Sequence, residues 1–398
     1  MRRPAAARIA IGAAGAAAVG ALAAVGVAAG LRVAPAVVER RYNVVHRGVP
    51  ARVSERAHEL HRTLFVADLH ADSLLWGRDL GTRSTLGHVD VPRLIEGGVA
   101  LEGFAATTQM PRHANLERND GRSDDVVLLA LIQRWPRRTW RSRLERALVL
   151  ADRARRLASA SGRFGLIERR TDLETYVQRR ATDRAITAGF LAIEGAHALD
   201  SEPANLDVLA DAGYRMLGLA HFFDTTFAGS VHGVDRIGLT GPGRELVARA
   251  EARGMLVDLA HASAATIDDT LAIARRPVVA SHTGVRAVAD SIRNLSDDQL
   301  RGIAGTGGLV GIGFWPTACG GDGADWIARS ITHAVDVAGI GHVALGSDWD
   351  GAVLVPFDAT GIVEVTDALL RAGLGEGEVA AVMGGNVVRL LLETLPGS

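Results

Sequence analysis

Eight short apolar runs, separated by longer amphipathic stretches, set the strongest limit on what this 398-residue chain can fold into. They are "LFVADLH" (64–70), "VALEGFAAT" (99–107), "AGFLAIE" (188–194), "YRMLGLAH" (214–221), "MLVDLAH" (255–261), "PVVASH" (277–282), "GLVGIGF" (308–314) and "HVALGSD" (342–348). Helical patterns lie between most of them, including "GRELVARAEARG" (243–254) and "SAATIDDTLAIARR" (263–276), and "DWIARSITHAVDVAG" (325–339) precedes the last. Such alternation is the mark of repeated βα units around a parallel sheet. Eight units predict an α/β fold, a (β/α)8 barrel of the TIM type, whose working face lies at the C-terminal strand ends.

The way the runs stop narrows the chemistry. Six of the eight end on or beside His70, Glu194, His221, His261, His282 and Asp348. One histidine at a strand end is ordinarily a hydrogen-bonded structural residue. Six ionisable, ligand-type residues brought to one face would leave several buried polar groups unpaired unless a metal gathered them.

In "FVADLHADSLLW" (65–76), Asp68, His70 and Asp72 alternate, so extended backbone would send them the same way. By the same parity Asp350 is expected on the face of Asp348. His-x-Asp offers borderline and hard donors that suit zinc or a similar divalent ion. His261 and His282, ending successive runs, can serve a second ion, and Glu194 can bridge the two. The expected sets are His70, Asp72 and Glu194 on one ion, and Glu194, His261 and His282 on the other. Each ion keeps coordination open for a shared water, the condition for forming hydroxide near neutral pH.

Composition removes several alternatives. A formal charge of -1 leaves no basic footprint for nucleic acid. Every basic side chain is arginine, so Schiff-base chemistry and a carbamylated-lysine metal bridge are excluded. The single Cys319 can form neither an intramolecular disulfide nor a cysteine zinc site, and reads as a passive thiol. No G-x-S-x-G nucleophile elbow is present.

The organisation expected is an N-terminal hydrophobic segment (1–40), a linker (41–62) and one barrel domain (63–398). Residues 9–31 carry no charge and follow three arginines. As a helix they would run about 34 Å, enough to cross a hydrocarbon core of about 30 Å. Their length favours an uncleaved membrane anchor over a signal peptide cut near "APA" (34–36) or a low-complexity tail. That predicts a catalytic domain on the extracytoplasmic side of a membrane. Residues 110–187, between the second and third runs, predict two or three inserted helices forming a solvated layer, with a cover over the site or a homodimer contact as alternatives.

Taken together, "DLHAD", "AIEGAHAL", "LGLAH", "GMLVDLAHAS", "PVVASHTGVRAVADSIRN" and "GSDWDG" occur in the order found in the renal, or membrane, dipeptidases, and the resemblance covers roughly residues 60–394. That family consists of dinuclear zinc hydrolases on an amidohydrolase-type barrel. The resemblance implies two zinc ions held by His70, Asp72, bridging Glu194, His261 and His282. It further implies that His221 contacts substrate and polarises the scissile carbonyl, that Asp348 carries protons, and that Arg293 in "DSIRN" binds a substrate carboxylate. The implied reaction is hydrolysis of a dipeptide or dipeptide-like amide by a hydroxide bridging the two metals. A lactone, an N-acyl amino acid or another amide is the alternative substrate. An inactive membrane-anchored binding protein is the remaining alternative.

Two loops depart from the family pattern. After the fourth run "HFFDTTFAGSVHG" places Asp224 and Gly229 where the family has other residues, which bears on recognition of the substrate's amino terminus. After the seventh, Trp315 stands where a tyrosine is usual, as a packing or substrate-contact residue. His197 and His232 are expected to support the site from behind. His46, His58, His61, His88, His113, His333 and His342 show no ligand pattern and are expected on the surface or at caps.

Overall fold

The computed structural model describes residues 35–46 and 52–397. All eight apolar runs become strands of one closed parallel barrel: β1 (Val66–Ala71), β2 (Val99–Thr107), β3 (Thr187–Glu194), β4 (Tyr214–Gly218), β5 (Leu256–Asp258), β6 (Val278–Thr283), β7 (Leu309–Ile312) and β8 (Val343–Leu345). Consecutive strands pair in parallel around the ring, and β8 returns to β1 through Leu345 and Asp68. A short strand, Phe164–Leu166, extends the lower part of the β3 edge that β4 uses higher up.

The apolar runs are continuous rather than alternating because each strand is buried on both faces, as parallel sheets require. One apolar cluster takes Leu69, Leu101, Phe190, Met216, Leu256, Val279, Leu309 and Ala344 from all eight strands, which is possible only inside the barrel. Val387, Leu390 and Leu391 of the helix Asn386–Thr394 join it. The larger cluster lies between the strands and the surrounding helices.

Helices begin where the sequence supplies caps. Ser263 accepts from Thr266 N to start Ala264–Ile273, and Ser296 with Gln299 forms a capping box at Asp297–Gly305. The insertion between β2 and β3 holds the helices Val126–Ile132, Arg143–Ala160 and Arg170–Thr182. It is no mere solvated layer: Ala147, Leu150, Ala151 and Ala154 are buried in the core.

The stretch read as a linker (41–62) is also structured, and so is the end of the segment read as an anchor or signal peptide (1–40). Residues 35–42 are helical, and Val44–Val45 pair in parallel with Leu354–Val355. Helix Glu55–His61 docks on Val363–Arg371 through Ser54 to Asp367 (2.6 Å) and His61 to Thr366 (2.7 Å). The apolar segment 9–31 lies outside the described residues. Among the described residues, no helix is long and apolar enough to cross a membrane.

Candidate metal centre

Strand ends place the first donors. His70 and Asp72 leave β1 beside Glu194 at the end of β3, while His282 stands near the end of β6. His221, His261 and Asp348 each lie three residues beyond β4, β5 and β8, on loops. His261 and Asp348 adopt left-handed backbone, with φ of 62° and 61°. Strand alternation therefore does not extend to them, and a conformation disfavoured for residues with a β-carbon is held at the site instead.

Glu194 is the hub. Its Oε1 lies 3.4 Å from His70 Nε2, 3.3 Å from His261 Nε2 and 3.5 Å from His282 Nε2, and its Oε2 lies 3.4 Å from His221 Nε2. Asp72 Oδ2 is 3.6 Å from His70 Nε2. The trios His70, Asp72, Glu194 and Glu194, His261, His282 each have donor atoms within 4.8 Å of one another, and so do His70, Asp258 and His282. All five expected ligands converge.

These separations fit a metal better than a hydrogen-bond network. They are long for hydrogen bonds, yet two ligands of a tetrahedral ion with bonds of about 2.1 Å stand about 3.4 Å apart. His70 Nε2 is buried with no hydrogen-bond partner. The Thr107 hydroxyl, with one proton, lies 2.7 Å from Asp72 and 2.6 Å from Glu194, so two carboxylates crowd a single donor. A cation is the natural complement.

Electrostatics sorts the groups. Burial holds His261 and His282 well below the usual imidazole range, which keeps them in the neutral, ligating form. Burial also opposes a charge on His70, but Glu194 and Asp72 prevail and raise it well above that range. Glu194 is held well below the usual carboxylate range because the adjacent His221, His70 and His261 imidazoles outweigh its burial. Asp348 is pushed well above, by burial first and by Asp72 and Glu194 in addition, against His70.

A supporting layer was not visible in sequence. Ser281 Oγ donates to Asp258 Oδ2 at 2.6 Å and sits 2.9 Å from His282 Nδ1 and 3.4 Å from His70 Nδ1. Asp258 also accepts from Ser281 N and Ala260 N. One serine–aspartate pair thus orients two of the imidazoles. Small hydroxyl residues are too common in strands for spacing to single them out.

Several expectations need correction. Asp68, expected on the face of His70 and Asp72, accepts from Ser347 N (2.8 Å) and Ser347 Oγ (2.6 Å). Asp350 does not share the face of Asp348: its φ is 62°, and it pairs with Ser73, Arg78 and His88 N away from the donors. His88 and His61 are buried rather than superficial, His88 accepting from Asp350 N at 2.9 Å and His61 bridging Thr366 and the Gly97 carbonyl.

The other singled-out residues fall into place. Arg293 is buried, donates to the His282 carbonyl at 2.6 Å and lies 5.9 Å over the Trp315 ring. Trp315 packs 6.0 Å from His282. Asp224 caps its own loop, accepting from Ser230 N and Asp235 N at 2.8 Å each. A β-carbon on Gly229 would meet the Ile237 carbonyl at 2.1 Å. His232 stacks on Phe222 and reaches the Leu116 carbonyl, while His197 lies against His221 and Phe223. Cys319 is buried and donates to the Gly313 carbonyl.

Known proteins carry the same architecture. A family model for the membrane dipeptidases, peptidase family M19, matches residues 54–395. Dipeptidase verJ of Clonostachys rogersoniana is 29% identical over 317 residues, 77% of this chain and 76% of that one. Among solved structures, dipeptidase AC, a family M19 metallopeptidase, has a TM-score of 0.67 and 26% identity, covering 84% of this chain and 100% of that one. A metallopeptidase from Rhodobacter sphaeroides, solved with a phosphinate mimic of the dipeptide L-Ala-D-Ala, has a TM-score of 0.65 and 26% identity, covering 84% and 99%. The family match runs through the whole barrel, and the chain belongs to the membrane dipeptidase family, M19, as a metallopeptidase of the dipeptidase type.

Proposed function

We propose that the chain is a zinc-dependent dipeptidase that binds two ions, one through His70, Asp72 and Glu194 and the other through Glu194, His261 and His282. The observation that carries this reading is the spacing around Glu194, where three imidazole nitrogens stand 3.3 to 3.5 Å from a single carboxylate oxygen. Ions held there would supply Lewis acidity at the scissile carbonyl and would lower the proton affinity of a nearby water.

The chain's own groups complete the reaction. Burial lowers the affinity of His221 for a second proton, so it acts as a neutral Nε2–H donor toward the carbonyl oxygen as negative charge grows there. Asp348, whose raised affinity for a proton suits a carrier, takes the proton from the attacking water and passes it to the leaving nitrogen. Burial lowers the Arg293 guanidinium to about 10, which leaves it charged at neutral pH. One of its N–H groups holds the His282 carbonyl, and the others are available to the free carboxylate of a dipeptide.

The dipeptide mimic in the R. sphaeroides relative supports this substrate class. The charge-free stretch 9–31 supports a domain tethered at the outer face of a membrane. A dipeptide library assayed with and without chelator tests the activity: cleavage should vanish on chelation and return with zinc. Full cleavage by metal-free protein would overturn the reading.

A further inference from the structure

The chain that precedes the barrel is stitched to the loop that carries Asp348. Beyond β8 the sequence runs "SDWDGAVLV" (347–355), and Val44–Val45 pair with Leu354–Val355 at its far end. His46 N donates to the Val355 carbonyl at 2.8 Å, and Asn43 Oδ1 accepts from Ala352 N at 2.9 Å. Glu39, only 1% exposed, receives Arg78 Nε at 2.6 Å, and the same guanidinium pairs with the fully buried Asp350. Ser73 Oγ and His88 N also donate to Asp350, at 2.6 and 2.5 Å.

This loop needs bracing. Asp348, Asp350 and Ala352 all have φ of 61° to 62°, backbone that residues with a β-carbon disfavour. Such a sequence of turns persists only where surrounding contacts over-determine it. The loop also packs closely: a β-carbon on Gly351 would fall 1.9 Å from Asp348 Oδ1. Gly351 N also donates to the Asp348 carbonyl at 3.1 Å, so the residue that follows Asp350 closes the turn in which Asp348 sits.

We propose that Glu39 is a positioning residue for Asp348, acting through Arg78 and Asp350, so that residues 39–46 form a working part of the catalytic centre. Arg78 stands between two carboxylates. Without Glu39, its Nε is left unpaired in a buried setting, and the guanidinium turns toward water and draws Asp350 with it. The proposal rests on the reading of Asp348 as proton carrier.

Full-length Glu39→Ala and Glu39→Gln, each alone and combined with Asp348→Asn, test it through kcat, KM, zinc content, melting temperature and the pH profile of kcat. Glu39→Ala should lower kcat roughly 10- to 100-fold, the scale of a small misplacement of a catalytic group. It should shift the kcat–pH profile while zinc content and KM hold. Glu39→Gln, which keeps an acceptor for Arg78 Nε, should retain the melting temperature and lose less. In the Asp348→Asn background, neither change should lower the residual turnover further. Equal fold-losses in both backgrounds, an unchanged kcat, or zinc lost in step with kcat would overturn the role of Glu39. Full turnover by Asp348→Asn alone would overturn the assignment of Asp348 instead.

Discussion

The Nε2 atoms of His261 and His282 face each other at 2.9 Å across the end of the barrel, with Glu194 Oε1 3.3 and 3.5 Å away. Two neutral imidazoles can share only one proton between such atoms, so a cation relieves the contact. His282→Ala should leave at most about one of two ions bound and reduce kcat/KM about 10³-fold or more. Elemental analysis beside dipeptide turnover checks both. Two tightly held zinc ions in that variant would disprove the ligand assignment.

Ser281 touches no substrate in this reading but holds His282 Nδ1 and Asp258 together. Ser281→Ala should weaken zinc affinity by about 10- to 100-fold, the usual effect of removing a partner behind a ligand. Competition against a metal-sensing dye measures it. Unchanged affinity would mean that Asp258 and the backbone suffice to orient the imidazole.

Arg293 should matter only for substrates with a free carboxylate. Arg293→Ala removes a charge-assisted contact worth about 1.5 to 3 kcal/mol, so KM for dipeptides should rise roughly 10- to 100-fold. Carboxylate-free amides should be spared. Equal losses on both substrate types would assign Arg293 to the scaffold, through its bond to the His282 carbonyl.

Acid should begin to destabilise the fold above the range where carboxylates titrate. Burial lowers His88 from 6.5 to about 4, so between those values the unfolded chain binds a proton that the folded chain refuses. Stability therefore falls as pH drops from 6.5 toward 4, by about 3 kcal/mol from this one group. Urea melts across that window check it, and His88→Asn, which keeps an acceptor for Asp350 N, should show a shallower slope. An identical slope would place the acid sensitivity elsewhere.

The barrel was legible because parallel strands buried on both faces leave unbroken apolar runs, and "VALEGFAAT" coincides with Val99–Thr107. The five converging donors were legible because histidine and carboxylate at corresponding strand ends are chemically conspicuous. His88 was not: its burial depends on Asp350, 262 residues away, and nothing local announces the pairing. Nor was Glu39, an ordinary charged residue at the end of the segment that reads as a membrane anchor or signal peptide. The parity argument failed at Asp350 because left-handed backbone after Ser347 ends the alternation on which it rests.

The ring closes where its first and last strands meet. One register pair, Leu345 with Asp68, is reinforced by Asp68 holding Ser347, 279 residues away, and by Asp348 N donating to the His70 carbonyl. Proposed ligand and proton carrier are thus joined by the contacts that complete the barrel. During synthesis the first strand finds β2 early but must wait for nearly the whole remaining chain before its second partner, β8, exists, and closure across so long a loop is slow. A chain interrupted before β8 has neither a closed barrel nor Asp348, so the protein cannot become a hydrolase by halves while it is still being made.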